Sequence, residues 1–298
     1  MIRRACLAAL LTLSVSTAFG ASTYDHLYAF GDSYSDKGAG EALTTRLTAQ
    51  KVKGAQALPG PLYWKGRWSN GPTAVEGLAQ ALKTPLTDYA VGGAKSGHGN
   101  YYTWMMPTQD TGLLGQVAEH LQAAKSHKAD PKALYFIFIS ANDFFEWADF
   151  SHPESIEALS ESSLANIRSA TEQLVAAGAR HVMVVGTTDL SHVPAVVQGN
   201  HVDNAKKYQQ LLAQKLPSVL AQIGVAKVTY FDHLAFSDAL RANPQANGFT
   251  DLDAPCQPTY PEVKPVCANA DAHYYWDEWH PTREVHALAA KAMLKALP

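Results

Sequence analysis

The chain has 298 residues, 47% of them apolar and 17% charged, enough to bury a sizeable core. A formal net charge of -3 supplies no basic surface for nucleic acid. Beyond residue 20, no apolar run reaches the length that crosses a bilayer as a helix.

Taken in order, the chain opens with Arg3 and Arg4, an apolar run over 5–15, and the small-residue end Ala18-Phe19-Gly20. That order is the pattern of a secretory signal peptide, which predicts a leader over 1–20 and a mature chain from Ala21, exported to the periplasm or medium. A retained anchor is the competing reading, and the short apolar core weighs against it. With Cys6 removed, Cys256 and Cys267 remain in a proline-rich loop. An even pair in an oxidising compartment predicts a disulfide, with two free thiols as the alternative.

Residues 27–30 read as a short buried strand that stops at Gly31. Ser33 lies just past its end, where a helix can begin and aim free N–H groups at an anion. Residues 41–50 are weakly helical, and 59–72 form a loop rich in Gly, Pro and Trp. A helix is predicted over 73–82, a strand over 87–91 ending at Gly92-Gly93, and an amphipathic helix over 111–125. The aromatic and methionine patch 101–106 fits either a lipid-facing rim or core packing. Residues 133–139 are apolar throughout, as in a strand buried on both faces. Helices over 154–177 and 203–223 end at Gly178 and Gly224, and strands over 181–185 and 227–231 follow each connection. A short helix from Ser237 leads into the cysteine loop, and 281–297 closes the chain as a helix with Pro281 early in it. This alternation predicts a parallel sheet with helices on both faces. No repeat or long linker divides it, so 21–298 is read as one domain.

Near the C-terminal end stands Asp277-Glu278-Trp279-His280. A carboxylate three residues before a histidine, about one helical turn away, can bond the ring's Nδ1–H and leave Nε2 for a nucleophile. Ser33 supplies a hydroxyl that needs such a base. Without that partner, Asp32, Ser33, Ser35 and Asp36 would read as helix caps. The sequence holds no His-Glu-x-x-His, no paired-cysteine metal spacing and no phosphate-loop pattern, so neither metal nor nucleotide cofactor is expected.

Four segments in order carry a resemblance: Gly31-Asp32-Ser33-Tyr34, 88–94 (Asp-Tyr-Ala-Val-Gly-Gly-Ala), Ser140-Ala141-Asn142-Asp143, and Asp277-x-x-His280-Pro281-Thr282. Together they resemble the blocks of the GDSL family of SGNH-type lipases and esterases. Tyr34 departs from the family's Leu, Asp88 from Asn, and Ser140 from Gly. The resemblance implies a three-layer flavodoxin-like α/β fold with a central sheet of about five parallel strands. It implies Ser33 as nucleophile, His280 as base and Asp277 as the group that orients it. The Ser33 N–H, the Gly93 N–H and the Asn142 side-chain amide are the implied oxyanion donors. Exported family members with similar stretches at 90–94 and 67–71 look like bacterial phospholipases, lysophospholipases and lipid acyltransferases. The expected partner is an acyl ester, with transient membrane contact and no obligate protein partner. A carbohydrate O-acetylesterase and a non-catalytic binding module on the same scaffold are the alternatives. Tyr63, Trp64, Trp68, Tyr101, Tyr102, Trp104, Met105 and Met106, on the two aromatic loops, are expected to wall an acyl pocket if those loops flank Ser33.

Overall fold

The computed structural model describes residues 24–106 and 108–298. The leader predicted over 1–20, with Cys6, lies outside the described residues. Five strands, β1 (Leu27–Gly31), β2 (Leu86–Asp88), β3 (Leu134–Phe138), β4 (His181–Val185) and β5 (Lys227–Phe231), form one sheet in the order β2-β1-β3-β4-β5. All neighbours are parallel, and their first residues align: Leu86, Leu27, Leu134, His181 and Lys227 lie side by side.

β3 explains the layering. All five of its residues are buried, because it is the middle strand and both its faces are covered. Its side chains alternate between two cores. Leu134, Phe136 and Phe138 pack into one core with Val75 and Leu78 of α2 (Ala74–Leu82) and Met293 of α9 (Arg283–Ala296). Tyr135 and Ile137 face the other, with Val117 of α3 (Leu113–Ala123), Leu174 of α5 (Ile156–Ala177) and Leu212 of α7 (Val202–Leu220).

Several boundaries differ from the sequence reading. β2 ends at Asp88, not residue 91, although Tyr89 and Val91 still donate to the carbonyls of Ala29 and Gly31. The chain there turns aside because Gly93 is left-handed (φ 82°). α8 (His233–Ala242) starts four residues before Ser237, since the Asp232 carboxylate caps the Ala235 N–H. α9 begins at Arg283, not Pro281. The residue before a proline is pushed out of the helical region, so His280 cannot be helical, and Thr282 serves as the extended N-cap. An unforeseen helix, α4 (Ala141–Asp149), follows β3 directly.

The chain leaves β1 toward β2 on one side of the sheet and toward β3 on the other. Strand order therefore reverses at the carboxyl ends of β1 and β3, the place where open α/β sheets put a ligand crevice. Ser33 follows β1, Gly93 follows β2 and Asn142 follows β3.

Candidate active site

The turn after β1 is shaped by buried polar groups. Gly31 N donates to Gln116 Oε1 and Gln116 Nε2 donates back to Gly31 O, both at 2.8 Å, so a side chain of α3 completes the end of the strand. A side chain at 31 would strike the Phe138 carbonyl at 2.3 Å, which requires glycine. Ser35 N and Asp36 N then donate to Asp32 O, closing a single turn around Ser33. The helix expected at Ser33 does not start there: α1 spans Ala39–Ala49, behind a left-handed Gly38. Asp36 is the reason, since its buried carboxylate accepts N–H bonds from Gly38, Gly40 and, at 2.8 Å, Gly92. It thereby ties the serine turn to the Gly92-Gly93 turn.

Asp277 and His280 lie in a tight loop instead of a helical turn. Asp277 Oδ1 accepts the backbone N–H groups of Trp279 at 2.8 Å and His280 at 2.6 Å. The same carboxylate lies 2.9 Å (Oδ1) and 2.8 Å (Oδ2) from His280 Nδ1. His280 Nε2 is 2.9 Å from Ser33 Oγ. An ionised carboxylate can only accept, so the network assigns the ring proton to Nδ1 and leaves Nε2 to accept from the serine hydroxyl. Asp277 is fully buried and Ser33 and His280 are nearly so.

Ser33, Gly93 and Asn142 line one cavity of about 660 Å³ together with Asp277 and His280. Gly93 carries a positive φ, and a Cβ there would lie 2.4 Å from Asn100 Oδ1. Asn100, buried and unforeseen, fixes this turn by donating to Gly92 O and accepting from Tyr102 N. Asn142 sits in the first turn of α4, where its amide donates to Ala94 O at 3.0 Å. The amide's second N–H is left for the cavity. Asp143 ties its loop down, accepting from Ser96 N and Ser96 Oγ. Burial raises its carboxyl to about 6 and that of Asp32 to about 7. Asp32 braces the serine turn by accepting from Tyr34 N.

The departures from the family blocks acquire reasons. Tyr34 reaches over the turn and donates its hydroxyl to Trp279 O at 3.0 Å, linking the serine and histidine loops. Asp88 keeps two backbone bonds, from Lys37 N and Ala90 N. Ser140 adopts φ 141°, ψ -17°, a region that glycine enters more cheaply. Of the two aromatic loops, Tyr63, Trp68, Tyr101 and Tyr102 line the cavity, whereas Trp64, Trp104, Met105 and Met106 are not among its walls. Trp68 covers Gly92 and tilts against the His280 ring at 5.2 Å, and Met105 is fully buried in a small core beside α1. Part of the wall comes instead from α4 and α6 (Pro194–Gln198), through Phe144, Phe145, Ala148 and Val196. Cys256 and Cys267 are joined as a disulfide.

Fold and site thus have the form of an SGNH-type α/β hydrolase. The chain belongs to the GDSL-like lipase/acylhydrolase family, whose profile spans residues 27–293. It is 26% identical over 256 residues to a phosphatidylcholine-sterol acyltransferase of Aeromonas hydrophila, covering 84% of this chain and 71% of that protein. It is 28% identical over 293 residues to an acetylesterase of Thermothelomyces thermophilus, covering 91% and 87%. A thermolabile hemolysin of Vibrio parahaemolyticus is 26% identical over 287 residues, covering 90% of this chain, which spans only 62% of that protein. Among solved structures, an acetyl-xylooligosaccharide esterase from Geobacillus stearothermophilus aligns with a TM-score of 0.50 at 14% identity, covering 93% of this chain and 95% of that one.

Proposed function

We propose that the protein is an exported, single-domain serine esterase that cleaves medium- or long-chain lipid acyl esters, a phospholipid or lysophospholipid among them, through an acyl-Ser33 intermediate. Ser33 attacks the ester carbonyl while His280 Nε2 takes its proton, and Asp277 stabilises the imidazolium that forms. The carbonyl oxygen gains negative charge and is met by the Ser33 and Gly93 N–H groups and the Asn142 amide. His280 then protonates the leaving alcohol. Water attacks the acyl-serine by the same route in reverse roles, and an alcohol acceptor in its place would make the reaction an acyl transfer.

The cavity carries the choice of substrate. At about 660 Å³ it has room for about twenty water-sized groups, far more than an acetyl group fills. Phe144, Phe145, Ala148, Val196 and Trp68 give it apolar wall, and among the described residues no Lys or Arg lines it. Tyr260, Val263 and Val266 of the disulfide loop are exposed, and Tyr260 also borders the cavity, which suits contact with a lipid surface. The acetylesterase and the phosphatidylcholine-directed relative are about equally similar in sequence, so identity does not choose between them.

A series of p-nitrophenyl esters from acetate to palmitate tests the reading. Each methylene that enters the apolar wall adds up to about 0.8 kcal/mol, so kcat/KM rises up to about fourfold per methylene until the cavity is full. A steep fall beyond acetate, with acetate released from acetylated polysaccharide, selects the carbohydrate esterase instead.

A further inference from the structure

The Asp277 carboxylate serves a second side-chain donor besides His280. Tyr63, in the loop between α1 and α2, places its phenolic oxygen 2.6 Å from Asp277 Oδ2. That oxygen is also the one 2.8 Å from His280 Nδ1. Burial and, after it, the Asp277 charge hold the Tyr63 phenol far above the ordinary tyrosine range, so the hydroxyl keeps its proton and donates. The loop has other anchors besides this bond. Ser69 Oγ donates to Pro281 O at 2.8 Å, Arg283 N donates to Asn70 Oδ1 at 2.7 Å, and the Tyr63 ring packs 6.0 Å from Trp68.

We propose that Tyr63 is a positioning residue of the Ser33–His280–Asp277 relay: its hydroxyl shares the Asp277 carboxylate with His280 and so sets how tightly that carboxylate holds the imidazolium. The inference rests on the reading of Ser33 as nucleophile. A carboxylate that already accepts a strong neutral donor offers less charge to the ring, and its Oδ2 is held in place for the Nδ1 proton. When the donor is removed, the charge on Asp277 is undivided. The imidazolium is held more firmly, and the neutral base appears only at higher pH.

Other groups face this relay. Asp32 and His286 act on His280 through space, and Tyr34 lies 6.0 Å from its ring. Tyr102, pushed up to about 12 by burial and the Asp277 charge, is a further neutral phenol. Glu278 turns away, accepting from Thr259 Oγ1 at 2.6 Å. Asp32, raised by burial to about 7, titrates in the same pH range. Its contribution is common to the wild type and a Tyr63 variant, so the comparison between them isolates the tyrosine.

The test follows the rate at which a p-nitrophenyl phosphonate labels Ser33, from pH 5 to 9, in the wild type and in Tyr63→Phe. The variant keeps the ring, and an unchanged thermal midpoint verifies the loop. The ascending limb is expected to move up by about 0.5 to 1 pH unit, the equivalent of one hydrogen bond. A limb at the wild-type pH overturns the proposal, whatever the plateau. In an Asp277→Asn background, Tyr63→Phe is expected to move the limb no further, and an equal shift there also overturns it. If wild-type Ser33 is not labelled at all, the serine-esterase reading fails instead.

Discussion

Ser140→Gly should make the protein more stable. Ser140 lies at φ 141°, ψ -17°, between the end of β3 and the first turn of α4. A non-glycine residue in such a sparsely populated region costs about 1–3 kcal/mol. Its side chain is buried, and Ser140 Oγ has no protein hydrogen-bond partner among the described residues, which adds roughly 1–3 kcal/mol of desolvation. Glycine gives back about 0.5–1 kcal/mol through the greater freedom of the unfolded chain, and loss of the small side chain's packing takes a further share. The net expectation is about 1–2 kcal/mol in favour of glycine, which for a domain of this size raises the thermal midpoint by roughly 2–8 °C. The turn itself should persist, because Tyr208 donates to the Ser140 carbonyl at 3.1 Å and Asn142 remains bonded to Ala94 O. Differential scanning calorimetry measures the midpoint, and turnover of a short-chain ester checks that Asn142 has not moved. An unchanged or lower midpoint would show that the turn stores no such strain.

The Asp32 carboxyl holds its proton up to about pH 7 in the folded chain, against an ordinary value of 3.8. The folded state therefore binds more protons across that window, so the Asp32 contribution to stability is fully present below pH 3.8 and lost as pH rises to about 7. Asp32→Asn keeps an acceptor for Tyr34 N–H and removes the titration. Its stability relative to wild type should grow by on the order of 2–3 kcal/mol between pH 5 and 8, read from urea midpoints; a constant difference refutes the assignment. The disulfide closes a span of 11 residues, worth about 3 kcal/mol by chain entropy. Reduction should lower stability and activity together, because Thr259 within that loop bonds Glu278 beside the relay. Full activity in the reduced protein would separate the loop from the site.

What the sequence made legible was what local pattern controls. All five strands, the order of the blocks, and the convergence of Ser33, Gly93, Asn142, Asp277 and His280 follow from apolar runs, small residues at strand ends and the Asp-x-x-His spacing. The spacing was read correctly as a pairing but wrongly as a helical turn, because Pro281 denies His280 a helical backbone. α4 was missed since its buried face is carried by Ala141, Asn142 and Phe144 in a run of aromatics and acids without a clear period. Tyr63, Asn100 and Gln116 left no local signal. Tyr63 and Gln116 act on residues far away in sequence, 214 positions off for Tyr63 and Asp277 and 85 for Gln116 and Gly31, while Asn100 braces a turn whose shape its own bonds help set. Such partners become visible only when the sheet has brought the strand ends together. Trp104 and Met105 resolve the two readings of the 101–106 patch toward packing: Trp104 packs over Gly54 and Met105 is core.

The most direct test of the whole account is covalent. A p-nitrophenyl phosphonate added to the native protein should label one site per chain, peptide mapping should place it on Ser33, and ester hydrolysis should disappear in proportion to labelling. Ser33→Ala should take up no label and lose hydrolysis while keeping its fold, as judged by circular dichroism. Label on another residue, or near-wild-type turnover by folded Ser33→Ala, would contradict the assignment of Ser33 as the nucleophile.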